Sequence, residues 1–334
     1  MPKFLIIRFS SIGDIVLTTP VIRCLRHKFP EAEIHYLTKQ AFRHIVADNP
    51  YLDKIHTLGD SFELMLHELM NEGYDCIIDL HHNFRTLKIK RFLKTVKAVS
   101  FKKLNIEKFI YTNLKINTLP KKHIVERYLD TVGVFGVADD GLGLDYFIPG
   151  KDVVKNSDIP TSHLHGFIAI VIGAALATKK MPIHKLQELC AAIDHPVILL
   201  GGNEDQDAGA AIASVDNIKV YNACGKFNLN ESADLVRRSK LVITHDTGLM
   251  HIAAALQKPV ISVWGNTVPA FGMFPWYGKR SGQQYDVVEI TKLWCRPCSK
   301  IGYNKCPKRH FRCMELIDVN VIVKMANAHL RQNI

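Results

Sequence analysis

Five short stretches of the chain place reactive or charged side chains where they could act together. The stretch Ser10-Ser11-Ile12-Gly13-Asp14 comes soon after the apolar run Phe4 to Ile7, where a first strand should turn into a first helix. A carboxylate there is either a helix cap, worth ~1 kcal/mol, or a base positioned to take a proton from a hydroxyl. In the stretch from Gly173 to Pro182, small residues precede Thr178, Lys179 and Lys180. Such a turn admits an anion to a helix start, and a lysine adds a full positive charge. Asn203-Glu204-Asp205 follows the apolar run Val197 to Leu200 and puts an acid where it could accept ribose hydroxyls. Asp246-Thr247-Gly248 opens a further helix, with His251 one turn on, and its backbone N–H groups suit a diphosphate. The fifth stretch holds Cys295, Cys298, Cys306 and Cys313, with His310 among them. A C-x2-C pair with two more cysteines fits a tetrahedral structural zinc site; reduced thiols and redox use are the other readings. Four thiolates would close the coordination sphere, so a catalytic metal is not expected. Cys24, Cys76, Cys190 and Cys224 sit in apolar settings as core thiols.

Turns of this kind need a scaffold that ends its strands side by side. The chain alternates short Ile/Leu-rich runs with helix-length segments, in two series. The first is FLIIR, a helix to about Phe29, EIHYLT, a helix through Phe42 and Val46, KIHTL, a helix from Ser61 to about Asn71, and DCIIDL. The second is GFIAIVIG, a helix from Ile183 to Ile193, PVILLGG, a helix from Glu204, KVYNACG, a helix from Glu231 to Ser239, KLVITHD, a helix from Gly248 to Leu256, and PVISVWG. Near-continuous apolar strands separated by helices predict parallel sheets buried on both faces. Pro149 to His165 has linker chemistry, with Gly150, Asn156, Ser157, Pro160 and Ser162. The expectation is an α/β protein of two Rossmann-like, doubly wound domains facing each other across a cleft, 1–150 and 151–334, the last helix packing back on the first domain. Ligands in such sheets bind beyond the carboxyl ends of the strands.

Composition narrows the class. Of 334 residues, 47% are apolar and 22% charged, with no apolar run near the ~20 residues that cross a bilayer. The N-terminal run passes straight into Ser-Ser-Ile-Gly-Asp without a cleavage region, so the expectation is a cytoplasmic chain, in which disulfides are disfavoured. Lys and Arg outnumber Asp and Glu by 11, and residues 85–127 alone hold 13 Lys/Arg against Glu107 and Glu126. In TLKIKRFLKTVK the apolar Leu87, Ile89, Phe92, Leu93 and Val96 recur at near-helical spacing, with bases on the other faces. The segment is either a solvated basic face or a dock for a polyanion.

The runs R-x-S-S-I-G-D-x-V-x-T-T-P, K-K-M-P, L-L-G-G-N-E-D, A-C-G-K and H-D-T-G-L-M-H-I-A-A-A-L-x-K-P-V-I-S-V-W-G-N-T-x-P resemble the bacterial heptosyltransferases of glycosyltransferase family 9, from Phe4 to about Gly278. The resemblance implies a GT-B fold, acceptor on the N-terminal half, nucleotide-sugar donor on the C-terminal half. It implies transfer of heptose from ADP-heptose to a lipid A–Kdo type acceptor of the lipopolysaccharide inner core, with inversion and without a metal, at the cytoplasmic face of the inner membrane. It makes Asp14 the catalytic base, beside Ser10, Ser11 and Gly13; the basic segment then supplies Arg85, Lys88 and Arg91 as expected contacts for an anionic acceptor. It sets Lys179, Thr247 and Gly248 on the leaving diphosphate, with Asp246 and His251 in the same donor motif, Glu204 on ribose, and Gly225 and Lys226 beside the base. Two departures bear on the donor: Met181 stands where the family commonly has Trp, and Ala174-Ala175 where Ser or Thr often touches phosphate, so Thr178 or backbone N–H groups are expected to compensate. A nucleotide-sugar epimerase of similar fold and a polyanion-binding protein are the other readings; the irregular aromatics and absent motifs argue against nucleic acid.

Overall fold

The computed structural model describes residues 1–59, 61–94 and 96–332. They form two compact units, each built on one parallel sheet.

The first unit comprises Met1–Leu104, Lys122–Phe147 and Gly278–Ser281. It opens with β1 (Lys3–Ile7), α1 (Ile12–Val16) and α2 (Thr19–Lys28). The expected single helix to Phe29 is broken because Pro20 lacks an N–H and the Thr18 and Thr19 hydroxyls donate back to the Ile15 and Val16 carbonyls. There follow β2 (Glu33–Lys39), a 3₁₀ segment Gln40–Ile45 in place of the expected helix, β3 (Lys54–Leu58) and α3 (Phe62–Asn71), whose N-cap Ser61 accepts from the Leu64 N–H. β4 (Cys76–Asp79), α4 (Phe84–Phe92) and β5 (Lys97–Ser100) complete the sheet in the order β3-β2-β1-β4-β5. Leu5, Ile7, Leu37 and Ile77 are fully buried in its core, which is why these strands read as apolar runs rather than alternations.

The second unit comprises Asn105–Lys121, Ile148–Tyr277 and the chain from Gly282 on. It therefore takes α5 (Asn105–Leu114), while α6 (Ile124–Val132) stays with the first. Gly278, at φ +80°, packs its backbone against that of Gly143 in the first unit, so closely that a Cβ there would lie 2.3 Å from the Gly143 nitrogen. The main chain of the second unit runs β6 (Ile168–Val171), α7 (Ile183–Ala192), β7 (Val197–Leu200), α8 (Gln206–Ala213), β8 (Val220–Asn222), α9 (Leu229–Arg238), β9 (Leu241–His245), α10 (Gly248–Ala255), β10 (Val260–Trp264) and β11 (Tyr285–Glu289), ending in α11 (Arg312–Glu315) and α12 (Val319–Gln332). The sheet order is β11-β10-β9-β6-β7-β8. The last helix, expected on the first domain, instead buries Val319, Ile322 and Ala326 in the core of the second. Among the described residues no helix is long and apolar enough to cross a membrane.

Both orders reverse direction beside the first strand of the unit, between β1 and β4 and between β6 and β9. At such a switch point neighbouring strands send their following loops to opposite sides, which opens a crevice at their carboxyl ends. Asp14 follows β1; Lys179 follows β6; Asp246 follows β9.

Candidate active site

In the first unit, Asp14 is the third residue of α1 and reaches back to the N-cap. Its Oδ2 accepts from the Ser11 backbone N–H at 3.2 Å and from the Ser11 hydroxyl at 2.8 Å. Its Oδ1 lies 2.6 Å from the Arg8 guanidinium. Arg8 is fixed in turn: it donates to the Leu80 carbonyl at the end of β4 at 2.7 Å and to the Ser10 carbonyl at 2.8 Å. Burial works to raise the Asp14 pKa, but the Arg8 charge and the Ser11 hydrogen bonds outweigh it and hold the carboxyl below its usual range. An ionised carboxylate is thus ready at neutral pH, and the cap and base readings describe the same side chain. Arg8 belongs to the quoted R-x-S-S-I-G-D run but was not singled out; its position two residues before the serines was the available signal. Gly13, the residue before Asp14, is buried inside α1. Arg85, Lys88 and Arg91 are exposed on α4, whose start is capped by Asn83 accepting from the Thr86 N–H. Lys90 is different: it pairs with buried Asp79 at 2.8 Å and donates to the Ser100 hydroxyl.

In the second unit the two adjacent lysines separate. Lys179 Nζ lies 2.7 Å from Asp246 Oδ2 and also donates to the Asp246 carbonyl, beside Thr247 and Gly248 at the start of α10. Thr267 donates to the same Oδ2 at 3.0 Å, so Asp246 is held from both sides. Lys180 Nζ goes instead to Asp205 Oδ1 at 2.6 Å. Asp205, which sequence reasoning passed over for Glu204, is buried between the turns after β6 and β7: a Cβ on Gly173 would lie 2.5 Å from its Oδ2, which accepts from the Gly202 N–H. Glu204 is exposed and folds over Gly202. Gly225, at φ +72°, packs against the same turn, where a Cβ would strike Asn203 and Gln206. Lys226 stands 4.3 Å from the Tyr221 ring centroid. Thr178 does not meet its expectation: it is buried, donates its hydroxyl to the Tyr303 carbonyl and accepts from the Tyr303 N–H, so its oxygen is engaged with the chain. His251 and Met181 are buried as well, and the Met181 N–H donates to His245 Nε2. Asn266, at the end of β10, is 2% exposed with both amide side-chain atoms unpartnered among the described residues. It is the Asn of the quoted V-W-G-N-T-x-P run, to which the sequence reading gave no role of its own.

The cysteines gather loosely. Cys298 donates its thiol to the Cys295 carbonyl at 2.9 Å, Cys295 Sγ is 3.7 Å from His310 Nε2, and Cys313 packs in the apolar core. Burial first, then neighbouring thiols, pushes Cys298 up to about 12. The four thiols nevertheless act on one another, Cys298 with Cys295 and Cys313, and Cys313 with Cys306 and Cys295, so these four remain the residues that would hold a structural zinc. Among the described residues a second group, His35, His56 and Glu72, brings its ligand atoms together. Its polar atoms are already matched: Tyr74 bridges the imidazoles at 2.9 and 3.0 Å, and Lys3 and Lys54 pair with Glu72.

Residues 64–305 match the model of glycosyltransferase family 9 (heptosyltransferase). The chain belongs to this family. It is 29% identical over 295 residues to lipooligosaccharide heptosyltransferase 2 of Haemophilus influenzae, covering 80% of this chain and 85% of that one. The glycosyl transferase family 9 structure from Veillonella parvula superposes with TM-score 0.77 at 20% identity, covering 99% and 98% of the two chains. The Escherichia coli ADP-heptose lipopolysaccharide heptosyltransferase II superposes with TM-score 0.73 at 20% identity, covering 99% of each. The fold is accordingly GT-B, as expected, and the family is one of glycosyltransferases.

Proposed function

We propose that this glycosyltransferase moves a heptose or related sugar from a nucleotide-diphosphate sugar, ADP-heptose first among candidates, to the inner core of lipopolysaccharide, inverting the anomeric carbon. The observation that carries the reading is Asp14, an ionised carboxylate at the end of β1, clamped by Arg8 and Ser11. In the reaction the acceptor hydroxyl attacks the anomeric carbon, its proton passes to Asp14, and the bond from that carbon to the diphosphate oxygen breaks. The leaving charge is met by Lys179 and by the N–H groups opening α10, without a step through a metal. With Thr178 engaged and Ala174-Ala175 carrying no hydroxyl, backbone N–H groups and Asn266 are left to complete the diphosphate contacts. Exposed Glu204 serves the ribose. Exposed Arg85, Lys88 and Arg91 attract a lipid A–Kdo acceptor, whose carboxylates and phosphates are anionic, at the inner face of the inner membrane. The test is a mass-spectrometric screen of nucleotide sugars against lipid A–Kdo acceptors, repeated with Asp14→Asn. Turnover should fall ~10²–10⁴-fold while nucleotide affinity stays within a few-fold. Near-normal turnover in that variant makes Asp14 a helix cap and nothing more.

A further inference from the structure

We infer that the second unit carries a membrane-docking platform, formed by α5 and residues 292–312, and that its partner is a bilayer surface containing anionic lipid. The inference rests on the acceptor being a lipid, as proposed above, and names the surface that brings the enzyme to it.

Helix α5 is amphipathic the wrong way round for a soluble protein. It buries no residue. It is seated through its more polar side: the Tyr111 ring meets Phe271 edge-on at 5.9 Å, Lys108 Nζ stands 5.7 Å from the Phe271 centroid, and just past the helix Lys115 donates to the Pro297 carbonyl at 2.7 Å. At 3.6 residues per turn, Ile106 and Phe109 point away from that seat. They are 74% and 64% exposed, and Leu114 and Ile116 are exposed beside them. The Lys115 contact leads to the second half of the surface. Trp294, next to Cys295, is 68% exposed, and Ile301 and Tyr303 are exposed in the same segment. Residues 292–312 contain seven Lys/Arg and no Asp or Glu, and of the seven only Arg296 is buried. Lys308 Nζ lies 5.0 Å from the Trp294 ring centroid.

Exposed Ile, Leu, Phe and Trp beside a segment of seven bases and no acid is the chemistry of an element lying in a bilayer interface: aliphatic side chains enter the acyl boundary, Trp sits at headgroup level, and bases meet anionic headgroups. A phosphodiester strand has no use for Ile106, Leu114 and Ile301. A second copy on this face would set base against base. The surface is also joined to the donor turn, since Tyr303 bonds through its backbone to Thr178, the residue before Lys179. Docking would therefore hold the donor turn near the plane in which a lipid acceptor lies.

The experiment is co-sedimentation of the full chain with phosphatidylcholine vesicles, with and without phosphatidylglycerol, read beside turnover on a deacylated, water-soluble acceptor. Binding is expected only with phosphatidylglycerol and should weaken as salt rises. Phe109→Ser with Trp294→Ser should reduce it at least ~tenfold and leave turnover on the soluble acceptor unchanged. Should that pair fail to fold, Lys305→Glu with Lys308→Glu, both exposed, should give the same loss. Unchanged vesicle binding in the folded variants overturns the inference, as does a shift from dimer to monomer on Trp294→Ser, or single-stranded nucleic acid bound more tightly than vesicles. No turnover by the wild type on any soluble acceptor would sink the proposed reaction instead, and leaves vesicle binding to decide the platform.

Discussion

Lys179 and Lys180 are neighbours in sequence with opposite duties. Lys179 sits at the start of α10 with Asp246, where a leaving diphosphate would be met, and Lys180 neutralises buried Asp205. Lys179→Ala should weaken nucleoside-diphosphate binding and lower turnover together, by roughly 10²-fold in turnover, read by calorimetry and initial rates. Lys180→Ala should leave nucleotide affinity within a few-fold but cost about 1–3 kcal/mol of stability, because Asp205 keeps its burial and loses its partner. The reverse pattern would move the donor register by one residue. Three imidazoles set a pH dependence. Burial first, aided by His35, Arg8 and Lys180 respectively, lowers His56, His81 and His245 from 6.5 to about 4. Each is neutral in the fold at pH 5 but protonated in the unfolded chain. Their stabilisation is therefore complete above pH 6.5 and is lost as pH falls toward 4, by about 2 kcal/mol each at pH 5. Urea unfolding at pH 7 and pH 5 checks this; equal midpoints would refute it.

At the scale of elements, one buried arginine joins the cysteine-bearing segment to the donor sheet. Arg296 donates to the carbonyls of Gly265, Ile290 and Thr267 at 2.5, 3.1 and 2.8 Å and pairs with Glu289 at 2.6 Å. The Gly265 and Thr267 carbonyls flank Asn266, so the arginine fixes the backbone at Thr267, whose hydroxyl donates to Asp246. Arg296→Met keeps much of the volume and removes every side-chain donor, so stability should drop by roughly 3–5 kcal/mol. Donor affinity should fall in the molecules that remain folded. A thermal midpoint equal to that of the wild type would make the network incidental. The elements least visible in the sequence share a cause. β5 is four residues long and partly exposed, with Lys97 and Ala98 facing water; β11 is an edge strand carrying Asp286 and Glu289. Strands held by pairing with a neighbour rather than by burial on both faces leave little apolar pattern to read.

For the whole molecule, charge distribution is a statement about partners. The basic stretch after β4 is exposed at Lys88, Arg91, Lys94 and Lys102, whereas Lys90 is drawn in by Asp79. Converting those four exposed bases to Glu should raise the apparent KM for a lipid acceptor and weaken binding to anionic vesicles. At ~1 kcal/mol per base near such a surface the change should be plain, and it should shrink with salt. Donor KM should hardly move, because Lys179, Asp246 and Glu204 belong to the other compact unit. Unaltered acceptor KM would assign acceptor capture to residues nearer Asp14.

The sequence by itself determined the α/β class, the two series of parallel strands, the family, and the turns that hold Asp14, Lys179, Glu204 and Asp246. These follow from local rules: apolar runs mark strands buried on both faces, and polar, glycine-bearing turns at their ends mark sites. Only the tertiary structure decided what each polar group in those turns touches. Arg8 fixed by the Leu80 carbonyl, Asp205 paired with Lys180 between two loops and Thr178 closed on Tyr303 all depend on residues far apart in the chain. It also decided that α5 belongs with the second unit and turns its apolar side to solvent. Periodicity records which side chains share a face of an element; what that face meets is settled by packing against distant segments, and no local pattern carries that information.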